Sequence, residues 1–236
     1  MRPDRLLLLF LVLLLATTGA LSRPISQSLA DSGAAASETS FKYRFENPRF
    51  FIRVIEIDLG PSGAGELRFT RGESDEVLDL KVKVMPATIG RITTLFEVSR
   101  FLTSKTDYQD ARDFSHLGWI TLAARRGSLE RKVRFNYTKN AEMTELEDIF
   151  RAIASQEIAL FDIENAERYQ PLDLPKQLET LENELKLARF AEPERLLGKL
   201  NEIAGDDTQS LIARNQARRI IENIKKGKFG SPVKKK

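Results

Sequence analysis

From Ile55 the chain reads "IEIDL", apolar and acidic residues in strict alternation, the pattern of a strand with one buried and one solvated face. "GPSGAG" at 60–65 turns the chain, and "ELRFTR" returns with Leu67 and Phe69 on one side. "VLDLKVKV" at 77–84 then sets Leu78, Leu80, Val82 and Val84 against Asp79, Lys81 and Lys83. The three runs predict an antiparallel meander, apolar inside and charged outside. After Pro86 the period changes. Ile89, Ile92, Leu95 and Phe96 recur at helical spacing to about Phe101, and proline is well placed to open such a helix.

A second hairpin is predicted around "RRGS" at 125–128, with Ile120, Leu122 and Ala124 facing Val133, Phe135 and Tyr137. Asn140 reads as the N-cap of the next helix, whose stripe is Met143, Leu146, Ile149, Phe150 and Ile153. Three further helical segments are predicted at 175–188, 193–204 and 208–226. Pro175 and Pro193 stand at two of their starts, and Gly205 closes the second. The fold class is α+β: an antiparallel sheet covered by helices over 41–170, then a helical region with a hairpin over 171–226.

Composition adds a location. A short basic start, an apolar run of eleven from Leu6 to Ala16 and small residues after it describe a secretory signal peptide over 1–22. Cleavage is expected after Ala20 or Ser22, because the run falls short of the roughly 20 residues that span a bilayer. Residues 23–40 are rich in serine and alanine without periodicity and read as a disordered linker. The chain has no cysteine, which excludes disulfides, thiolate metal sites and cysteine nucleophiles. In an exported protein that points to a bacterial periplasmic or secreted product. The net charge of +3 is carried by the end of the chain. "KKGKFGSPVKKK" holds six of the 37 basic residues and no acid, leaving 31 basic against 34 acidic residues elsewhere. Residues 227–236 are expected to form a free basic tail. Lys228, Lys234, Lys235 and Lys236 would then make weak, salt-sensitive contact with an anionic membrane surface or another envelope polyanion. Nothing in the pattern points to specific nucleic acid binding.

Two resemblances follow. "GPSGAGELRFTR", "ITTLFEVSRFL", "WITLAARRGSLERKVRFNY" and "ELEDIFRAIASQE" come in the order hairpin, helix, hairpin, helix. That layout resembles a loose group of uncharacterised domains in exported bacterial proteins, and it implies no activity. "LLGKLNEIAGDDTQSLIARNQARRIIENI" resembles a single HEAT-type helical repeat. Such repeats work in stacks; one alone implies a helical hairpin docked on the α+β core.

The stretch that looks most like chemistry is "TDYQDARDFSHLGW" at 106–119, which holds the only histidine, His116, and the only tryptophan, Trp119. Asp107, Asp110 and Asp113 recur every three residues, which on a helix would set three carboxylates on one side. Calcium-loop spacing is absent, a catalytic metal usually recruits more than one histidine, and no metal or other cofactor is expected. His116 could serve a hydrolase as general base, given a nucleophile and an orienting acid. Adjacent Ser115 would point the other way in extended chain. Against this stands an ordinary polar loop whose aspartates cap turns. A loop of this length keeps binding by Asp107, Asp110, Asp113 and Trp119 in play. "GPSGAG" leads into a strand rather than a helix, so it is neither a phosphate loop nor a nucleophile elbow. "NYT" at 136–138 matches a glycosylation sequon, a short pattern common by chance. The expectation is an exported, envelope-associated binding protein without catalytic activity. The alternatives are a hydrolase using His116 and a helical adaptor that binds a protein partner through residues 171–226.

Overall fold

The computed structural model describes residues 38–234. The signal-peptide reading, residues 23–37 of the linker, and Lys235 and Lys236 lie outside the described residues. Six strands, β1 Thr39–Glu46, β2 Ile52–Leu59, β3 Ala64–Arg71, β4 Leu78–Lys83, β5 Trp119–Arg126 and β6 Leu129–Phe135, form one antiparallel sheet in the order β4-β3-β2-β1-β5-β6. The predicted meander and second hairpin are its two halves. They are joined by β1, for which the pattern analysis named no element, and which begins inside the stretch read as linker. Thr39 and Ser40 already pair with Arg126 and Arg125. Phe41, Tyr43 and Phe45 alternate with Lys42, Arg44 and Glu46, so this central strand carries one aromatic and one charged edge.

The turn at 60–65 needs its glycines. Gly63 is left-handed at φ 77°, and a Cβ on Gly65 would stand 1.9 Å from the Asp58 carbonyl oxygen. On the charged face the side chains neutralise one another in a ladder across four strands. Arg134 meets Glu46 at 2.6 Å, Arg44 bridges Glu46 and Glu56, and Arg68 bridges Glu56 and Asp58. Lys42 closes on Asp58 at 2.9 Å.

The apolar face is covered by α1 Pro86–Val98 and by the first half of α2 Ala141–Tyr169. Phe41 stacks on Phe96 with ring centroids 4.9 Å apart, and Tyr43 on Phe150 at 5.2 Å. The Asn140 side chain caps α2 by accepting the Met143 N–H at 2.9 Å. At 29 residues α2 is about 43 Å long, and its length organises the molecule. Its first half closes the sheet core, and its last turns give Ile163 and Ala166 to a second core. That core is built with α3 Leu174–Lys186, α4 Leu197–Gly205 and α5 Leu211–Lys225, and its members are mostly leucine, isoleucine and alanine. A short 3-10 helix, Pro193–Leu196, leads into α4. The α4–α5 pair docks on the helices rather than standing free, with Arg219 on α5 reaching Glu182 on α3 at 2.6 Å. Among the described residues no helix is long and apolar enough to cross a membrane.

Two buried devices lock the halves together. Glu192 takes the Met85 N–H at 2.7 Å and gives its own N–H to Gln156, while Arg195 pairs with both Glu157 and Glu192. The other device corrects the expected free tail. Past α5 the chain turns back, Phe229 packs on the helical core, and Val233 packs on the sheet core. Ser231 is buried and donates its hydroxyl to the Ala191 carbonyl at 2.5 Å. The glycines and proline that were read as breakers shape a strap. Its few apolar residues, separated by short polar steps, set neither a helical nor a strand period. Lys228 remains exposed on it, and Lys234 ends a terminal 3-10 turn.

Candidate functional site

In the 106–119 stretch the aspartates are spent on the backbone. Asp107 accepts the Gln109 N–H at 3.0 Å, Asp110 that of Arg112 at 3.1 Å, and Asp113 that of Ser115 at 2.8 Å. Each closes a turn with the residue two positions on. The spacing of three is thus a run of turns and not one side of a helix. Gln109 and Asn136 clasp the loop to the end of β6. The Asn136 N–H donates to Gln109 Oε1, its Oδ1 accepts from Gln109 Nε2 and the Phe114 N–H, and its Nδ2 donates to Asp113. The asparagine of the sequon is therefore buried and fully engaged. Arg131 adds a second clasp through the carbonyls of Phe101 and Thr106. Lys139, 2.9 Å from Asp110, holds that carboxyl below its ordinary value. The Ser115 N–H does the same for Asp113, with Asn136 helping.

His116 sits exposed on a 3-10 turn, Ser115–Leu117, with its ring 5.9 Å from Phe114. Its carbonyl accepts from Asn47 Nδ2 at 3.0 Å, which ties the loop to the β1–β2 connection. Ser115 serves Asp113 directly, so the imidazole does not stand between serine and acid as a general base would. Trp119 opens β5 under the Arg134 guanidinium, 4.3 Å from the ring centroid. Asp110 and Asp113 share the clasp, Asp107 is exposed, and Trp119 belongs to the charged sheet face. None of the four lines either of the two cavities that share Arg151. Among the described residues no group of three or more metal-ligating side chains is placed to hold an ion.

A different surface has the shape of a binding site. Two adjoining cavities, of about 480 and 620 Å³, share Arg151 and Ser155 on the outer side of α2. One is walled by the β1–β2 connection, through Phe45, Phe50, Phe51, Ile52 and Ile55. The other is walled by the end of α3 and by Pro232 of the strap, with Asp148 and Glu184 among its charges. Together they make a groove across α2, apolar at one end and mixed in charge at the other, where the sheet, the helices and the strap meet. Phe51 is 70% exposed at the apolar lip. Arg151 is the pivot. Its guanidinium lies 4.9 Å from the centroid of the Phe45 ring and pairs with Glu147 at 2.8 Å, one helical turn back. Its buried Nε side faces the Tyr43 hydroxyl, which is buried as well and interacts with the guanidinium. Burial pushes the Tyr43 phenol far above its ordinary value, so it stays a neutral donor, and burial also raises the Glu147 carboxyl.

This groove was not legible from pattern. Ser155 and Arg151 look like the solvated side of a helix, and Phe50 and Phe51 fall between elements. The one available signal was an aromatic pair in a connection where polar turn residues are usual. Compared with known proteins, the chain matches no family model and no curated sequence.

Proposed function

We propose that this is an exported, envelope-associated binding protein without catalytic activity, and that it binds through the groove across α2. The observation that supports the reading is a single juxtaposition: the exposed aromatic side chains of Phe50 and Phe51 beside a half-exposed arginine in an open groove. An open aromatic lip of this kind is a common mark of an interaction surface. A bound partner would cover it and meet the guanidinium from its solvent side. Export follows from the N-terminal pattern. The test is site-specific photo-crosslinking in the envelope of the native host. A photoreactive residue at Ser155 should yield a discrete adduct, and one at His116 should not. Adducts at His116 alone, or esterase activity abolished by His116→Ala, would move the function to the loop.

A second reading, the helical adaptor, has its own observation. α4 runs beside the last turns of α2, with Lys199 3.2 Å from Glu167, so α3 and α5 both begin at the far end of α2. Tyr169, Leu172, Leu211 and Ile212 are all more than 60% exposed at that end. Crosslinks from Leu211 but not from Ser155 would favour it.

A further inference from the structure

We infer that the groove takes an extended peptide segment of a partner protein in which a large apolar residue and an Asp or Glu stand two positions apart. The inference rests on the binding reading above and names its ligand. The apolar requirement comes from the 480 Å³ cavity, where Phe45, Phe50 and Ile55 form a floor and side wall and Phe51 a lip. Phe45 and Phe50 pack with ring centroids 5.9 Å apart, so the wall is a continuous aromatic surface. The acidic requirement comes from Arg151. Its side chain is 43% exposed although Nε is buried, so an incoming carboxylate can reach the guanidinium from the solvent side. The planar fork of arginine suits a carboxylate held by two hydrogen bonds.

The spacing comes from the 4.9 Å between Arg151 and Phe45. In an extended chain, residues two apart lie on one side about 6.8 Å from each other. Two such residues present neighbouring side chains on the same side of the peptide, one for the aromatic wall and one for the guanidinium beside it. Beyond Arg151 the groove continues past Ser155 to Glu184 and Arg189, which pair with each other at 3.1 Å. A mixed-charge continuation suits polypeptide better than a lipid chain, and the groove is open along its length rather than a closed tunnel.

The experiment is a selection of random linear peptides displayed on phage against the folded full-length chain, with the enriched sequences synthesised and titrated. The expected result is a large apolar and an acidic residue two positions apart, in either order. Affinity should fall about tenfold or more with either Arg151→Gln or Phe51→Ser. Arg151→Lys should recover part of the loss, and selection on Arg151→Glu should enrich basic residues at the acidic position. Melting temperatures of the variants separate lost binding from lost folding, and Phe51→Ser, at an exposed position, should melt with the parent. An enriched pattern without an acid overturns the proposal, as does binding indifferent to both substitutions. So does tight binding of phosphatidylglycerol vesicles that depends on Phe50 and Phe51, which would make the aromatic lip a membrane contact. If crosslinking at Ser155 succeeds while the peptide pattern fails, the binding reading stands and only this ligand falls. If both fail, the groove is not the site.

Discussion

The loop at 106–118 carries three aspartates, a serine and the only histidine, whereas the groove across α2 offers one central arginine, a serine and a row of aromatic and aliphatic side chains. The first has the residues that usually suggest chemistry, yet its polar groups are answered from within. Asp107, Asp110 and Asp113 take backbone N–H groups, and Gln109 and Asn136 satisfy each other. The second has unremarkable residue types and leaves the solvent side of the Arg151 guanidinium open beside exposed phenylalanines. What marks a surface for binding here is the capacity its groups still have, and residue type alone does not show that.

The comparison breaks most visibly if the loop is unclasped. Asn136 is buried and joins Gln109, Phe114 and Asp113, so Asn136→Ala strands several polar groups at once. The expected cost is about 2–4 kcal/mol, seen as a fall of roughly 5–10 °C in melting temperature for a domain of this size. If the loop were a binding surface only loosely attached to the fold, calorimetry would show almost no change.

Removal of a groove wall comes next. Truncation after Lys226 deletes Phe229, Ser231 and Val233, which tie the strap to both cores. A loss of about 2 kcal/mol is expected from half-buried apolar area and one buried hydrogen bond. A free tail, as the glycines and lysines suggested, would be removed without effect on denaturant unfolding.

These two effects also show what pattern can and cannot reveal. The meander, α1, the second hairpin and the capped start of α2 were legible because each is set by local period or by a side chain two or three positions away. The central strand went unpredicted although Phe41–Glu46 alternates apolar and charged residues; the serine-rich stretch runs straight into it, and only pairing with β5 carries it back to Thr39. The strap was lost for a similar reason. Phe229 and Val233 are buried by elements far away in sequence, and nothing local announces it. Of the residues singled out for chemistry, the loop aspartates were equally readable as turn caps. The groove needed four segments distant in sequence to exist at all.

Acid should affect the two regions in opposite directions. The hydrogen bonds and Lys139 hold Asp110 and Asp113 below the ordinary 3.8. Carboxyls of this kind stabilise the fold above the ordinary value, and their contribution is lost as pH falls through the lowered one. Glu147 is raised above 4.5 by burial, with Arg151 opposing. Its contribution is complete below 4.5 and is lost as pH rises through the raised value. Amide exchange corrected for its intrinsic pH dependence should therefore show the turns around Gln109 and Ser115 loosening below about pH 3.8. The turn of α2 at Glu147 should be most protected there. Parallel behaviour of both segments would mean that the two sets of carboxyls do not differ as their surroundings imply.

The smallest effect expected is at the residue that first attracts notice. His116→Ala should change stability by less than about 0.5 kcal/mol, the usual range for an exposed side chain away from special features. The turn is held by the His116 carbonyl, which accepts from Asn47, and by Asp113 acting on Ser115. Neither contact uses the imidazole, and alanine keeps both. What goes with the ring is its tilted contact with Phe114 and the smallest of the influences on Asp113. For the same reason EDTA should leave the melting temperature unchanged, since a metal bound to the native chain alone would stabilise it by mass action. A fall of several degrees in EDTA, or a loss of peptide binding in His116→Ala as large as that in Arg151→Gln, would show that the loop keeps capacity its hydrogen bonds do not reveal. The contrast between the two surfaces would then fail at the point where it is most exposed to test.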